Sequence, residues 1–220
     1  MLTFTNLKPI LLSFAILLGW IAHQGRAHAA GQEVLTVAGG CFWCVEADFE
    51  SVKGVQSVVS GYTGGTVRNP SYKQVSHGGT GHYEAVQIRF DPAVVSRETL
   101  LDLFFRSVDP TDAGGQFCDR GDSYRTAIFV SDPAEKALGE QVRAKAEAAL
   151  GRKIVTPILQ ANPFYKAEDY HQDYYKGENL VLTRFGPIRQ SKAYKKYRNA
   201  CGRDQRLRAL WGDRAAFAMH

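Results

Sequence analysis

The run Gly39-Gly40-Cys41-Phe42-Trp43-Cys44-Val45-Glu46 sets a nucleophilic atom beside two large aromatic rings. It closes a short apolar stretch, Val34 to Ala38, and opens an amphipathic one with Val45, Ala47, Phe49 and Val52. That pattern predicts a strand–turn–helix junction with Cys41 near a helix N-terminus. Unpaired backbone N–H groups and the helix dipole stabilise an anion there, so a Cys41 thiolate of lowered pKa is expected. The thiolate is the nucleophilic form of cysteine. The pair Cys41 and Cys44 leaves several chemistries open. It fits a thiol–disulfide couple, half of a zinc site completed by Cys118 and Cys201, or one reactive Cys41 with Cys44 packed in the helix. Zinc is disfavoured because Cys118 and Cys201 are not spaced as a ligand pair. A cysteine hydrolase using His82 or His171 as base is a further class, on loose spacing.

Glu84 is the other candidate. In the alternating run Tyr83 to Phe90 it shares a face with Val86, Ile88 and Phe90. A carboxyl carried into a core by that face would be pushed up in pKa and could donate a proton near neutral pH. Its place at the start of the strand also lets it emerge into water, and alternation alone favours water.

These residues need elements to hold them. Val34 to Ala38, Val55 to Tyr62, Tyr83 to Phe90, Arg125 to Val130 and Ile154 to Leu159 read as strands. Ser96 caps a helix whose apolar face is Leu100, Leu101, Phe104, Phe105 and Val108, stopped by Asp109-Pro110. Asp132-Pro133-Ala134-Glu135 starts another, expected to bury Leu138, Val142, Ala149 and Leu150. Two Gly-rich stretches, 64–81 and 111–123, read as long loops. The order predicts an α+β two-layer sandwich, ferredoxin-like, with a mostly antiparallel sheet and helices on one face.

Residues 1–29 resemble a secretory signal: Lys8, then an almost wholly apolar run from Pro9 to Ala22, then Ala27-His28-Ala29. The run is short of the roughly 20 residues a membrane span needs. Cleavage after Ala29 would give an exported, periplasmic protein, residues 30–220, with no membrane attachment; an uncleaved anchor is the rival. The remaining chain of about 190 residues suffices for one domain. Without Lys8 and Arg26 the net charge falls from +5 to +3, too mild to argue for nucleic acid. The basic residues concentrate in a C-terminal segment, about 185–220, read as solvated. Nothing in the sequence demands more than a monomer.

The Cys41 motif is similar to the active-site motif of the type A peptide methionine sulfoxide reductases. The resemblance continues in order through Gly61-Tyr62-Thr63-Gly64-Gly65, Asn69-Pro70-Ser71-Tyr72, Gly81-His82-Tyr83-Glu84, Asp109-Pro110-Thr111, Asp119-Arg120-Gly121-Asp122-Ser123-Tyr124-Arg125 and Phe164 to Gln172. It spans about residues 33–200. The resemblance implies that Cys41 attacks the sulfoxide sulfur and that Glu84 is the acid at its oxygen. It implies that Tyr72 and Tyr124 donate hydrogen bonds there, that Phe42 and Trp43 hold the substrate methyl, and that Asp119 belongs to the site. It implies the S epimer of methionine sulfoxide, free or in oxidised proteins, as substrate, with no bound cofactor or metal. Cys41 would become a sulfenic acid and then a disulfide, reopened by a thioredoxin-like dithiol. An exported enzyme would need a periplasmic or membrane-tethered donor of that kind. Cys201, in a mobile-looking charged stretch, is expected to take part in resolution, directly or through Cys44; a Cys41–Cys44 bridge is the rival. Cys118 lies either near the site or as a buried inert thiol. Tyr165, Tyr170, Tyr174 and Tyr175 are expected to pack, with His171 structural. Lys166 stands where relatives usually have Pro.

Overall fold

The computed structural model describes residues 31–218; the predicted signal segment lies outside them. Strand β1 (Glu33–Gly39) leads into helix α1 (Phe42–Glu50), followed by β2 (Val55–Thr63), a short helix α2 (Tyr72–His77), β3 (Tyr83–Phe90) and α3 (Arg97–Ser107). A small hairpin, β4 (Gly115–Gln116) and β5 (Asp119–Arg120), precedes β6 (Thr126–Val130) and α4 (Pro133–Leu150). Then come β7 (Ile158–Gln160), β8 (Tyr165–Lys166), a second hairpin of β9 (Leu180–Thr183) and β10 (Gly186–Arg189), and helices α5 (Gln190–Ala200) and α6 (Arg203–Trp211).

The main sheet has the order β7-β6-β1-β3-β2-β8. Every pairing in it is antiparallel except β6 with β7. The predicted α+β class with a mostly antiparallel sheet therefore holds. Period-two alternation sorts the side chains. Leu35, Val37, Val58, Val86, Ile88, Phe90, Ile128 and Val130 join Phe49, Leu100, Leu101, Phe104, Phe105 and Val142 in one core under the helices. The opposite face carries a smaller cluster of Ala38, Tyr83, Ala85, Ala127 and Phe129, packed by Leu159 and Phe164 rather than by a helix. Fully burying a large apolar side chain contributes about 1.5–3 kcal/mol, so the helix-covered face, with Val86, Ile88 and Phe90, fixes the register of β3.

Several expectations are corrected. The 64–81 stretch contains α2, because Ser71 and Gln74 form a capping box. The 111–123 stretch folds into the β4–β5 hairpin. Helix α4 buries Gly139, Val142 and Ala146; Leu138 and Leu150 are half-buried, and Ala149 is exposed. The C-terminal segment is not simply solvated. Trp211 enters the main core, and Arg198 and Arg203 are buried at 6% and 2% exposure.

Those two guanidiniums answer a carboxylate on the core side of α1. Arg198 Nη1 lies 2.8 Å from Asp48 Oδ1, and Arg203 Nη2 lies 3.7 Å from Oδ2. Arg203 also donates to the Ser107 carbonyl at 2.7 Å. Removing one side of a buried ion pair leaves uncompensated charge. Asp48→Ala is therefore expected to lower unfolding stability by about 3–5 kcal/mol, read as a fall in the urea midpoint.

Candidate active site

Cys41 is the N-cap residue of α1. The turn before it requires glycine: Gly40 has φ +82°, and a Cβ there would lie 2.5 Å from Gln116 Cβ. Gln116 is clamped in turn, accepting from Asp109 N at 2.8 Å and donating to the Asp109 carbonyl at 2.8 Å. The β4–β5 hairpin is thereby locked against the Cys41 turn, which brings in Cys118 and Asp119. A cavity of about 570 Å³ results. Its lining includes Cys41, Phe42, Trp43, Cys44, Tyr72, Glu84, Cys118, Asp119, Tyr124 and Cys201, so every predicted site residue meets in one place.

Glu84 does not emerge into water: it is 2% exposed. Strand β3 carries it beneath the start of α1, where Phe42 N–H donates to its Oε2 at 3.1 Å. Burial pushes its pKa up to about 8, partly opposed by that N–H and assisted by the Asp119 charge. At pH 7 the carboxyl is mostly protonated. Burial likewise raises the Tyr72 and Tyr124 phenols, with the Glu84 charge next, so both remain O–H donors. Tyr72 is placed by its own backbone N–H, which donates to Glu168 Oε1 at 2.8 Å, while Tyr62 O–H donates to Oε2 at 2.9 Å.

The aromatic wall is built with similar care for its polar atoms. Trp43 Nε1–H donates to His171 Nδ1 at 3.1 Å, and its ring stacks on Tyr174 at 3.7 Å and 5°. His171 lies 4.4 Å from the Tyr72 ring and 5.1 Å from the Phe42 ring. Burial holds its pKa down at about 4, so it is a neutral acceptor. This is the structural histidine expected. Of the four tyrosines read as packing, Tyr174 lines the cavity.

The sulfurs depart from the sequence reading. Cys41 is pushed well above the ordinary thiol value, by its hydrogen bond with Cys44, by burial, and by the charges of Cys44, Glu84 and Asp119. The expected resting thiolate is thus not favoured. The Phe42 N–H at the start of α1 is engaged by Glu84, and the Cys44 hydrogen bond and burial, assisted by the nearby carboxyls, outweigh the helix field. Cys44 shifts the other way, first through the hydrogen bond with Cys41 and then through Arg203 and Arg198, against the effect of burial. Cys41 and Cys44 are free thiols. Cys118 is bonded to Cys201, 83 residues away, with Cα atoms 4.9 Å apart. Cys118 is therefore neither buried nor inert, and Cys201 is anchored at the end of α5 rather than mobile. Bonded to each other, they are not free to complete a four-thiolate zinc site.

Sequence reasoning missed Arg198, Arg203, Tyr194, Tyr197 and the Leu182-Thr183-Arg184 stretch, all of which line the cavity. A signal existed for the arginines: Asp48 falls on the buried side of an amphipathic helix and needs a cation.

Residues 33–214 match the family model described as peptide methionine sulfoxide reductase. The chain is 48% identical over 189 residues to peptide methionine sulfoxide reductase MsrA 2 of Rhizobium meliloti, covering 86% of this chain and 88% of that one. It is 44% identical over 208 residues to the MsrA 2 of Caulobacter vibrioides, covering 94% of this chain and all of that one. Among solved structures, reduced Mxr1 of Saccharomyces cerevisiae aligns with a TM-score of 0.65 at 30% identity, over 73% of this chain and 94% of that one. Methionine sulfoxide reductase A of Corynebacterium diphtheriae aligns at 0.61 and 31% identity, over 70% and 78%. An α+β fold with a thiol, a neutral carboxyl and an aromatic wall in one cavity defines the class as a thiol-dependent reductase. The chain belongs to the peptide methionine sulfoxide reductase family.

Proposed function

We propose that the protein reduces methionine-S-sulfoxide, free or within oxidised proteins, to methionine. The observation that carries this reading is Glu84: a carboxyl kept protonated by burial, in the same cavity as the Cys41 thiol and an aromatic wall. A sulfoxide is polarised with negative charge on oxygen. Attack at its sulfur needs that charge met by a proton or strong hydrogen bonds. Glu84 supplies the proton, and Tyr72 and Tyr124 supply donors. Phe42 and Trp43 form the apolar slot for the methyl group, and Asp119 helps to keep Glu84 protonated through its charge.

The atoms balance as follows. The Cys41 sulfur bonds to the sulfoxide, oxygen passes to Cys41, and methionine leaves, so Cys41 ends as a sulfenic acid. A second thiol then displaces water to form a disulfide. Cys44 is the resolving thiol we favour, since it is free, hydrogen-bonded to Cys41, and drawn toward its thiolate. Cys201 enters afterwards, once the external dithiol has reduced the Cys118–Cys201 bond: its freed thiol attacks Cys44 in the Cys41–Cys44 bond, forming Cys44–Cys201 and releasing Cys41 as a thiol. An external dithiol protein of the thioredoxin type returns the enzyme to its starting state. The apolar run in residues 1–29 supports export to the periplasm, which would make that donor periplasmic or membrane-tethered.

Peptide mapping tests the order of events. Fully reduced protein given one equivalent of methionine-S-sulfoxide without reductant is expected to yield methionine and a Cys41–Cys44 bond. A Cys41–Cys201 bond would overturn the order of resolution. Failure to form methionine would overturn the function itself.

A further inference from the structure

We propose that the β9–β10 hairpin is the docking edge for the polypeptide bearing the oxidised methionine, an extended segment with apolar side chains next to the sulfoxide. The proposal rests on the cavity being a sulfoxide site. Leu180 and Leu182 are 72% and 87% exposed, the most exposed large apolar side chains among the described residues. Being two apart on β9, they share one face. Val181 and Ile188 turn inward, against the cluster of Cys44, Tyr174, Ala193 and Tyr194. The hairpin is thus held by its inner face, and the outer leucines contribute nothing to that packing.

Leu182 also lines the catalytic cavity, with Thr183 and Arg184 beside it. An apolar stripe therefore begins at the cavity rim and runs outward to Leu180. Side chains two apart on a strand repeat about every 6.6 Å, the same spacing as in any extended ligand. Among the described residues β9 pairs with β10 alone, which leaves its other edge without a strand partner there and able to accept another strand. Strand addition uses main-chain hydrogen bonds for affinity and alternate side chains for preference. Such recognition suits a substrate defined by one oxidised residue in any sequence, provided the chain around it is unfolded. Free methionine sulfoxide has no flanking chain and should ignore Leu180.

The test compares Leu180→Ser and Leu180→Ile, with dithiothreitol as reductant. The substrates are free methionine-S-sulfoxide and a short unstructured peptide with a central methionine-S-sulfoxide flanked by valines. Leu180→Ser is expected to lower kcat/KM for the peptide about tenfold, through KM, equivalent to ~1.4 kcal/mol. Leu180→Ile is expected to restore it, and neither variant should change turnover of the free substrate. Unchanged peptide kinetics, or an equal fall for both substrates, would overturn the proposal. A loss confined to assays in which a thioredoxin replaces dithiothreitol would assign the hairpin to the reductant and overturn it as well. Inactivity of the unmodified protein on both substrates would instead count against the proposed function.

Discussion

Cys41→Ser is expected to abolish sulfoxide reduction, with a loss of at least about 10³-fold in kcat, because a serine hydroxyl lacks both the nucleophilicity and the redox chemistry of the thiol. Cys44→Ser should behave differently. The first oxygen transfer needs only Cys41, so this variant should still release one methionine per chain when no reductant is present. Steady-state turnover should then collapse, since the sulfenic acid has lost the thiol hydrogen-bonded to its sulfur. Counting methionine per chain in a single-turnover assay separates the two effects. A general thiol–disulfide oxidoreductase built on the same pair predicts something else: equal loss in both variants and exchange with unrelated disulfides. Equal loss of the first methionine in the two variants would therefore favour that chemistry over ours. The Cys41 proton matters in this assay. The hydrogen bond with Cys44, burial, and then the charges of Cys44, Glu84 and Asp119 hold it on the sulfur, so attack is coupled to its departure as the sulfoxide oxygen gathers charge.

The fold was readable where one physical signal dominated. Tyr83–Phe90 alternates with period two and forms β3 over those same residues. Ser96 and Asp132 cap their helices as their side chains dictate, each accepting from a backbone N–H three residues on. The site was readable as residue types but not as states. Whether Glu84 faced water depended on α1 closing over the first residues of β3, a tertiary event with no local trace. The Cys41 thiolate failed for a related reason: a helix N-terminus is a weak field, and the hydrogen bond with Cys44 and burial in the assembled cavity decide the outcome, with Glu84 and Asp119 adding to it. The C-terminal segment misled because clustered Lys and Arg normally mean a solvated face. Here Arg198 and Arg203 turn inward to Asp48, about 150 residues earlier in the chain. Pairing of Cys118 with Cys201 was equally hidden, since it requires the β4–β5 hairpin and the end of α5 to meet.

Glu84→Gln should separate stability from chemistry in opposite directions. As an amide the side chain still accepts from Phe42 N–H and still offers a hydrogen bond, but it has no proton to give to the sulfoxide oxygen. Loss of a positioned general acid typically costs 10²–10⁴-fold, and a fall of roughly 10³ in the first oxygen transfer is expected, with substrate binding little changed. The pH profile supplies a sharper reading. Glu84 works as the protonated acid, and its folded-state pKa is about 8. The first step should therefore hold steady through neutral pH and fall about tenfold per pH unit above 8, and this alkaline limb should vanish in Glu84→Gln. Stability runs the other way. The folded state keeps a proton that the unfolded chain releases near 4.5, so the folded form binds more protons between pH 4.5 and about 8 and loses stability as pH rises across that window. The glutamine variant lacks this penalty and should be more stable than the parent at pH 9, by up to about 5 kcal/mol, read as a higher urea midpoint. A variant that is slower and also more stable in alkali could arise only if a buried, neutral carboxyl were performing the acid step. Loss of activity with loss of stability at pH 9 would mean that Glu84 merely holds the start of α1 in place.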